Sequence, residues 1–126
     1  MLLHPVCVLN FLAQNWKFEK ETRELRNKKG EVLDGAYKIP NDNSLGFIQN
    51  LAGKVLDLDG SIDSNDTPSW QDKDPSKDQK WRRKTGKPGC FVLIHNKSGK
   101  CLTGFDGKTT LMGKIYYNNL NTSIMF

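Results

Sequence analysis

Apolar positions in this chain come in short runs. Turn-forming Gly, Asn, Asp and Pro interrupt them about every 8–12 residues, which predicts many short strands joined by turns. One ten-residue pattern occurs three times. The copies are Leu25-Arg26-Asn27-Lys28-Lys29-Gly30-Glu31-Val32-Leu33-Asp34, Ile48-Gln49-Asn50-Leu51-Ala52-Gly53-Lys54-Val55-Leu56-Asp57 and Ile94-His95-Asn96-Lys97-Ser98-Gly99-Lys100-Cys101-Leu102-Thr103. In each, an aliphatic residue ends one strand, Asn and Gly make the turn, and Val or Cys followed by Leu opens the return strand. The pattern predicts a hairpin with positive φ at its glycine. Residues 17–29 are the main exception. Their charge density and the seven-residue spacing of Phe18 and Leu25 are compatible with a helical face. The repeat register favours a strand, a charged turn and a strand.

A second motif occurs twice, as Gln14-Asn15-Trp16 and Gln79-Lys80-Trp81. Three Gly-centred heads with two Gln-x-Trp tails resemble the ricin-B-like, or R-type, lectin family over most of residues 6–126. The resemblance implies an all-β chain forming one β-trefoil domain over residues 1–126, with three pseudo-symmetric repeats and the tail tryptophans in a shared core. The repeat glycines lie 23 and 46 residues apart, and the path around the ends is 57, so the mean spacing is 42. The first repeat is therefore shortened. Residues 6–16 read as a tail without a head, either closing the barrel in a permuted way or left over from a longer parent. Met125 stands where the last tail would place its tryptophan.

Composition narrows the class. The chain has 126 residues, 11 Gly, 5 Pro and 12 aromatic residues (3 Trp, 3 Tyr, 6 Phe), a mixture unlike a helical bundle or a disordered chain. No run of about 20 apolar residues is present, so no membrane-spanning helix is expected. Residues 1–16 carry no formal charge but lack a basic leader, and Pro5 and Asn10 interrupt the apolar stretch, which favours buried strands over a signal peptide. Cys7, Cys90 and Cys101 are an odd number with no Cys-x-x-Cys spacing; they read as reduced thiols, favouring a cytoplasmic setting over a secreted one. No zinc pattern, phosphate-binding loop or catalytic constellation is legible, and neither enzyme activity nor a metal or cofactor is expected. His95, inside the third head, reads as structural.

A sugar site needs a flat apolar face, carboxylate acceptors and an amide that both donates and accepts. By the family resemblance, the second repeat matches best, with Asp57 as acceptor, Trp70 as stacking platform, and Asp78 with Gln79 as the polar pair; Trp81 would be core. Asp34, Tyr37 and Asn41 form a more compact candidate in the first repeat. The third has Thr103 where the carboxylate belongs, and keeps Tyr116, Tyr117, Asn118 and Asn119, with Asp106 as a substitute acceptor. The resemblance implies galactose- or N-acetylgalactosamine-type glycans or glycoproteins as partners. Asp57, Asp59, Asp63 and Asp66 read as a solvated acidic loop rather than a calcium site, because the spacing of a calcium loop is missing.

The net charge is +5. Lys80, Arg82, Arg83, Lys84 and Lys87 crowd one stretch that Gly86, Pro88 and Gly89 mark as a loop. This supports an alternative function, a trefoil scaffold binding protein or polyanions such as a sulfated polysaccharide or nucleic acid. Weak single sites would call for a homo-oligomer, or for the domain to be a module of a larger protein.

Overall fold

The computed structural model describes residues 12–33, 35–58, 68–86, 89–104, 110–111 and 114–116, the last two stretches as backbone only. A single 3-10 turn, Leu12–Gln14, precedes eleven strands, and no α-helix occurs among the described residues. The strands are β1 (Trp16–Glu19), β2 (Glu24–Asn27), β3 (Val32–Leu33), β4 (Leu45–Gly46), β5 (Val55–Asp57), β6 (Ser69–Gln71), β7 (Trp81–Thr85), β8 (Phe91–His95), β9 (Cys101–Thr103), β10 (Thr110–Leu111) and β11 (Lys114–Tyr116). Nine pair in one sheet, in the order β10-β3-β2-β1-β8-β7-β4, with β9 joining β8 and β11 joining β9; β5 and β6 pair separately. All ladders are antiparallel except β10 on β3. The all-β expectation holds, and residues 16–27 form the β1–β2 hairpin rather than a helix.

All three heads are hairpins, with φ of +91° at Gly30, +86° at Gly53 and +75° at Gly99. A side chain would be strained at these angles, which is why the pattern carries Gly there. Each turn is closed by an acceptor at its entrance. Asn27 Oδ1 accepts from the amides of Lys29 and Glu31 at 3.0 and 2.9 Å, and Asn50 Oδ1 accepts from the Lys54 amide at 2.8 Å. The third turn departs from the sequence pattern. Asn27 and Asn50 donate their amides to the carbonyls of Glu31 and Lys54, but it is His95, not Asn96, that donates to Lys100. This turn is one residue longer, and His95 Nδ1 stands in for the asparagine oxygen, accepting from the Ser98 amide at 3.3 Å.

The core gathers Trp16, Leu25, Leu33, Ala36, Ile48, Leu56, Trp81, Phe91, Leu93 and Leu102. Its two tryptophans have no exposed surface, and each spends its only polar atom in the same way. Trp81 Nε1 donates to the Leu56 carbonyl in the second head, and Trp16 Nε1 to the Leu102 carbonyl in the third, both at 2.9 Å. The tail at 14–16 therefore has a head, placed 86 residues later in the chain. Gln14 Nε2 also donates to Thr103 Oγ1 at 3.1 Å, and the Gly104 amide to the Ala13 carbonyl at 2.8 Å.

Two sequence expectations need correction. Cys101 is disulfide-bonded, while Cys90 is a free, buried thiol. An odd count excludes a complete disulfide framework but leaves room for one bridge and one free thiol. Residues 81–85 are not a loop. Exposure alternates along them, with Trp81, Arg83 and Thr85 more buried than Arg82 and Lys84, and the segment runs as the strand between β4 and β8. No helix among the described residues is long and apolar enough to cross a membrane.

Candidate binding site

The second head, its tail and the third turn meet at His95. This ring lies at the end of β8, in register with Trp81, its centroid 5.0 Å from that of Trp81 and edge-on at 68°. His95 Nε2 lies 2.9 Å from Asp57 Oδ1, and Nδ1 lies 2.8 Å from Ser98 Oγ. Because the Ser98 amide can only donate, Nδ1 is the acceptor, and in the neutral ring the proton sits on Nε2, aimed at Asp57. Burial holds the His95 pKa below its ordinary value of 6.5, although the hydrogen bond and charge of Asp57 and the charge of Asp78 pull the other way. At neutral pH the pair is thus a neutral imidazole donating to a carboxylate. Asp57, His95 and Ser98 stand in line, but Ser98 belongs to the same turn as His95 and also supplies its amide to Nδ1. The contact closes the hairpin.

Asp57 is only 5% exposed, and its Oδ1 also accepts from the Leu58 amide at 2.8 Å. Asp78, half-buried, accepts from Asn96 Nδ2 at 2.7 Å and from the Lys80 amide at 3.2 Å. Burial raises its pKa, but those two hydrogen bonds and the nearby charges of His95 and Lys80 outweigh it and hold the carboxyl below its usual value. Gln79 is buried and grips the segment after β6: its Oε1 accepts from the Asp74 amide at 2.9 Å and its Nε2 donates to the Asp72 carbonyl at 3.2 Å. Trp70 sits across from Leu56 in the β5–β6 ladder, whereas Asp57 sits across from Ser69. Opposed residues share a face and successive residues alternate, so Trp70 and Asp57 point to opposite faces of that ladder. Trp70 is half-buried against the core, its indole covering Gly35, where φ is +92° and an added Cβ would stand 3.3 Å from Trp70 Nε1.

The structure thus joins Asp57 and Asp78 through His95, sets Gln79 beneath them, and turns Trp70 to the other side of its ladder. In the first-repeat candidate, Tyr37 is half-buried under Arg23, whose guanidinium lies 4.5 Å from its ring centroid, and Asn41 is exposed. Asp34 lies outside the described residues. In the third repeat Thr103 is buried, its hydroxyl donating to the Cys101 carbonyl at 2.9 Å. Tyr116 is described only as backbone, opposite Cys101. Tyr117, Asn118, Asn119, Asp106 and Met125 lie outside the described residues, as do Asp59, Asp63 and Asp66 of the acidic loop.

The basic stretch is divided by its own strand. Arg82 and Lys84 are exposed on one face of β7, and Arg83 projects from the other, its guanidinium 4.1 Å from the Phe91 ring centroid. Lys80 lies 5.9 Å from the Phe47 ring centroid, with Lys73 at 4.4 Å from the same ring. Lys87 lies outside the described residues. Sequence reasoning placed His95 in the structural scaffold but not its bond to Asp57. The signal that could have found it is the fit of an imidazole nitrogen to the acceptor position that Asn fills in the other two heads. The chain matches no protein-family model, no curated protein and no solved structure.

Proposed function

We propose that this chain is a single-domain β-trefoil of ricin-B-like type, closed in a permuted way by its N-terminal tail, that binds carbohydrate without transforming it. The observation that carries the reading is the recurrence of one tail-on-head contact, Trp81 on Leu56 and Trp16 on Leu102, between three hairpins with glycines of positive φ. Recurring local geometry in one chain is what a repeat fold requires. In this reading galactose- or N-acetylgalactosamine-type glycans are the ligands. Asp78 offers an acceptor for hydroxyls, while Trp70, on the other face of the β5–β6 ladder from Asp57, packs against the core and lies outside this site. Asp57 and Gln79, both buried, hold the site from beneath.

Glycan-array binding with competition by free galactose tests this. The expected result is saturable binding that galactose displaces and that Asp78→Ala abolishes while the melting temperature shows the variant still folded. Binding unchanged by Asp78→Ala would remove the second-repeat site, and no glycan binding at all would remove the lectin reading.

A further inference from the structure

Four cations from three separate segments converge on one groove of about 440 Å³. Lys20 and Arg23 lie in the β1–β2 turn, Lys38 precedes β4, and Arg83 comes from β7. The volume falls in the range of small-ligand pockets, about 300–1,000 Å³. Among the described residues no acidic side chain lines it; the neutral lining includes Phe18, Phe47, Asn41 and Ser44.

Two of these cations are held in place. Arg23 has φ of +56°, uncommon without glycine, and its side chain is fixed by Nη1 donating to the Tyr37 carbonyl at 3.2 Å and by its stack on the Tyr37 ring. Arg83 Nη1 donates to the Pro40 carbonyl at 3.1 Å, while its buried Nε has no hydrogen-bond partner. Charge compensation is poor. Among the described residues the one carboxylate within ion-pair reach of the four is Asp42, 4.0 Å from Arg83 Nε. Lys20 and Lys38 have no side-chain partner among the described residues. A concavity lined by cations with low-dielectric walls concentrates anions, and rigid guanidiniums recognise the oxygens of tetrahedral oxyanions better than flexible lysines do.

We infer that this groove binds a sugar bearing a sulfate or phosphate ester. The ester would sit among Arg23, Arg83, Lys20 and Lys38, with the ring against Phe18 or Phe47 and its hydroxyls reaching Asn41 and Ser44. The site does not depend on the carbohydrate reading above: it shares none of Asp57, Trp70, Asp78 and Gln79. It also differs from a linear basic loop, since only Arg83 of that stretch lines it.

The test is a titration of the whole chain, followed by amide and side-chain NMR shifts, with glucose 6-phosphate, N-acetylglucosamine 6-sulfate and unmodified glucose as probes. Saturable shifts at Phe18, Ser44 and Phe47 with either ester, and none with glucose, are expected; which ester binds tells phosphate from sulfate. Raising salt should weaken the binding. Because Arg83 also packs on Phe91, the discriminating variant is the exposed pair Lys20→Gln with Lys38→Gln, expected to weaken binding about tenfold at an unchanged melting temperature. Asp78→Ala should leave ester binding intact even if it removes galactose binding. The inference is overturned if neither ester binds, if glucose binds as well as the esters, or if the double variant binds unchanged.

Discussion

The His95 hub and the Arg83 groove use similar polar chemistry to opposite ends. At the hub, the imidazole nitrogens, Asp57 Oδ1 and both amide atoms of Gln79 have partners within the chain, and His95, Asp57 and Gln79 are buried. At the groove, Lys20 and Lys38 have no such partners among the described residues, and Arg83 Nε has no hydrogen-bond partner, only Asp42 at 4.0 Å. A polar group that is satisfied internally stabilises the fold and has little left to offer a ligand. One that faces open space adds little stability and is free to bind. Substitutions should therefore separate the two regions, with large stability costs at the hub and its tryptophans and almost none at the groove.

The largest effect is expected at Trp81, which the hub packs against. Trp81→Ala removes a fully buried ring and leaves the Leu56 carbonyl without its donor, a loss of about 3–5 kcal/mol in denaturant unfolding. Trp16→Ala should cost a similar amount, because its contacts with Leu102 repeat the same arrangement. Unequal losses would show that the two tail-on-head contacts are not equivalent.

His95→Ala comes next. It leaves the buried Asp57 carboxylate with only the Leu58 amide as donor and should cost about 1–3 kcal/mol at neutral pH. The sign of its pH dependence is fixed by the depressed pKa. The unfolded chain takes up the proton near 6.5 and the folded chain only at lower pH, so this contribution is complete above about 6.5 and is lost as pH falls through the folded value. Melting temperature against pH should fall in that window for the parent chain and flatten there in His95→Gln. A parent curve rising as the pH drops would mean that the Asp57 pair holds the imidazolium instead.

Gly53→Ala probes the shared turn. An added Cβ there meets nothing within 4 Å, so the cost is backbone strain alone, about 1–2 kcal/mol. At the groove, Lys38→Ala should change stability by less than about 0.5 kcal/mol. A larger loss would show that Lys38 supports the fold and would blur the contrast between the regions.

Much of the fold was legible because it is local. A Gly that must take positive φ, an Asn whose oxygen can close the turn, and aliphatic residues on either side are all within ten positions, and the three hairpins formed where that pattern lay. The tryptophans of both Gln-x-Trp tails were expected in the core through the family resemblance, and both are fully buried. The site was less legible. The spacing of Asp57 and Trp70 suggested one cleft, but the strand period sends them to opposite faces. The charge run at 80–87 suggested a loop, but alternation along β7 divides it.

The sequence by itself determined the hairpins and the all-β class, because both depend on turn chemistry or periodicity over a few residues. Only the tertiary structure decided that the N-terminal tail closes on a head 86 residues away, that His95 joins Asp57, and that Lys20, Arg23, Lys38 and Arg83 share one groove. Those contacts join residues far apart in the chain. Strand order and register set them, and no local pattern records either.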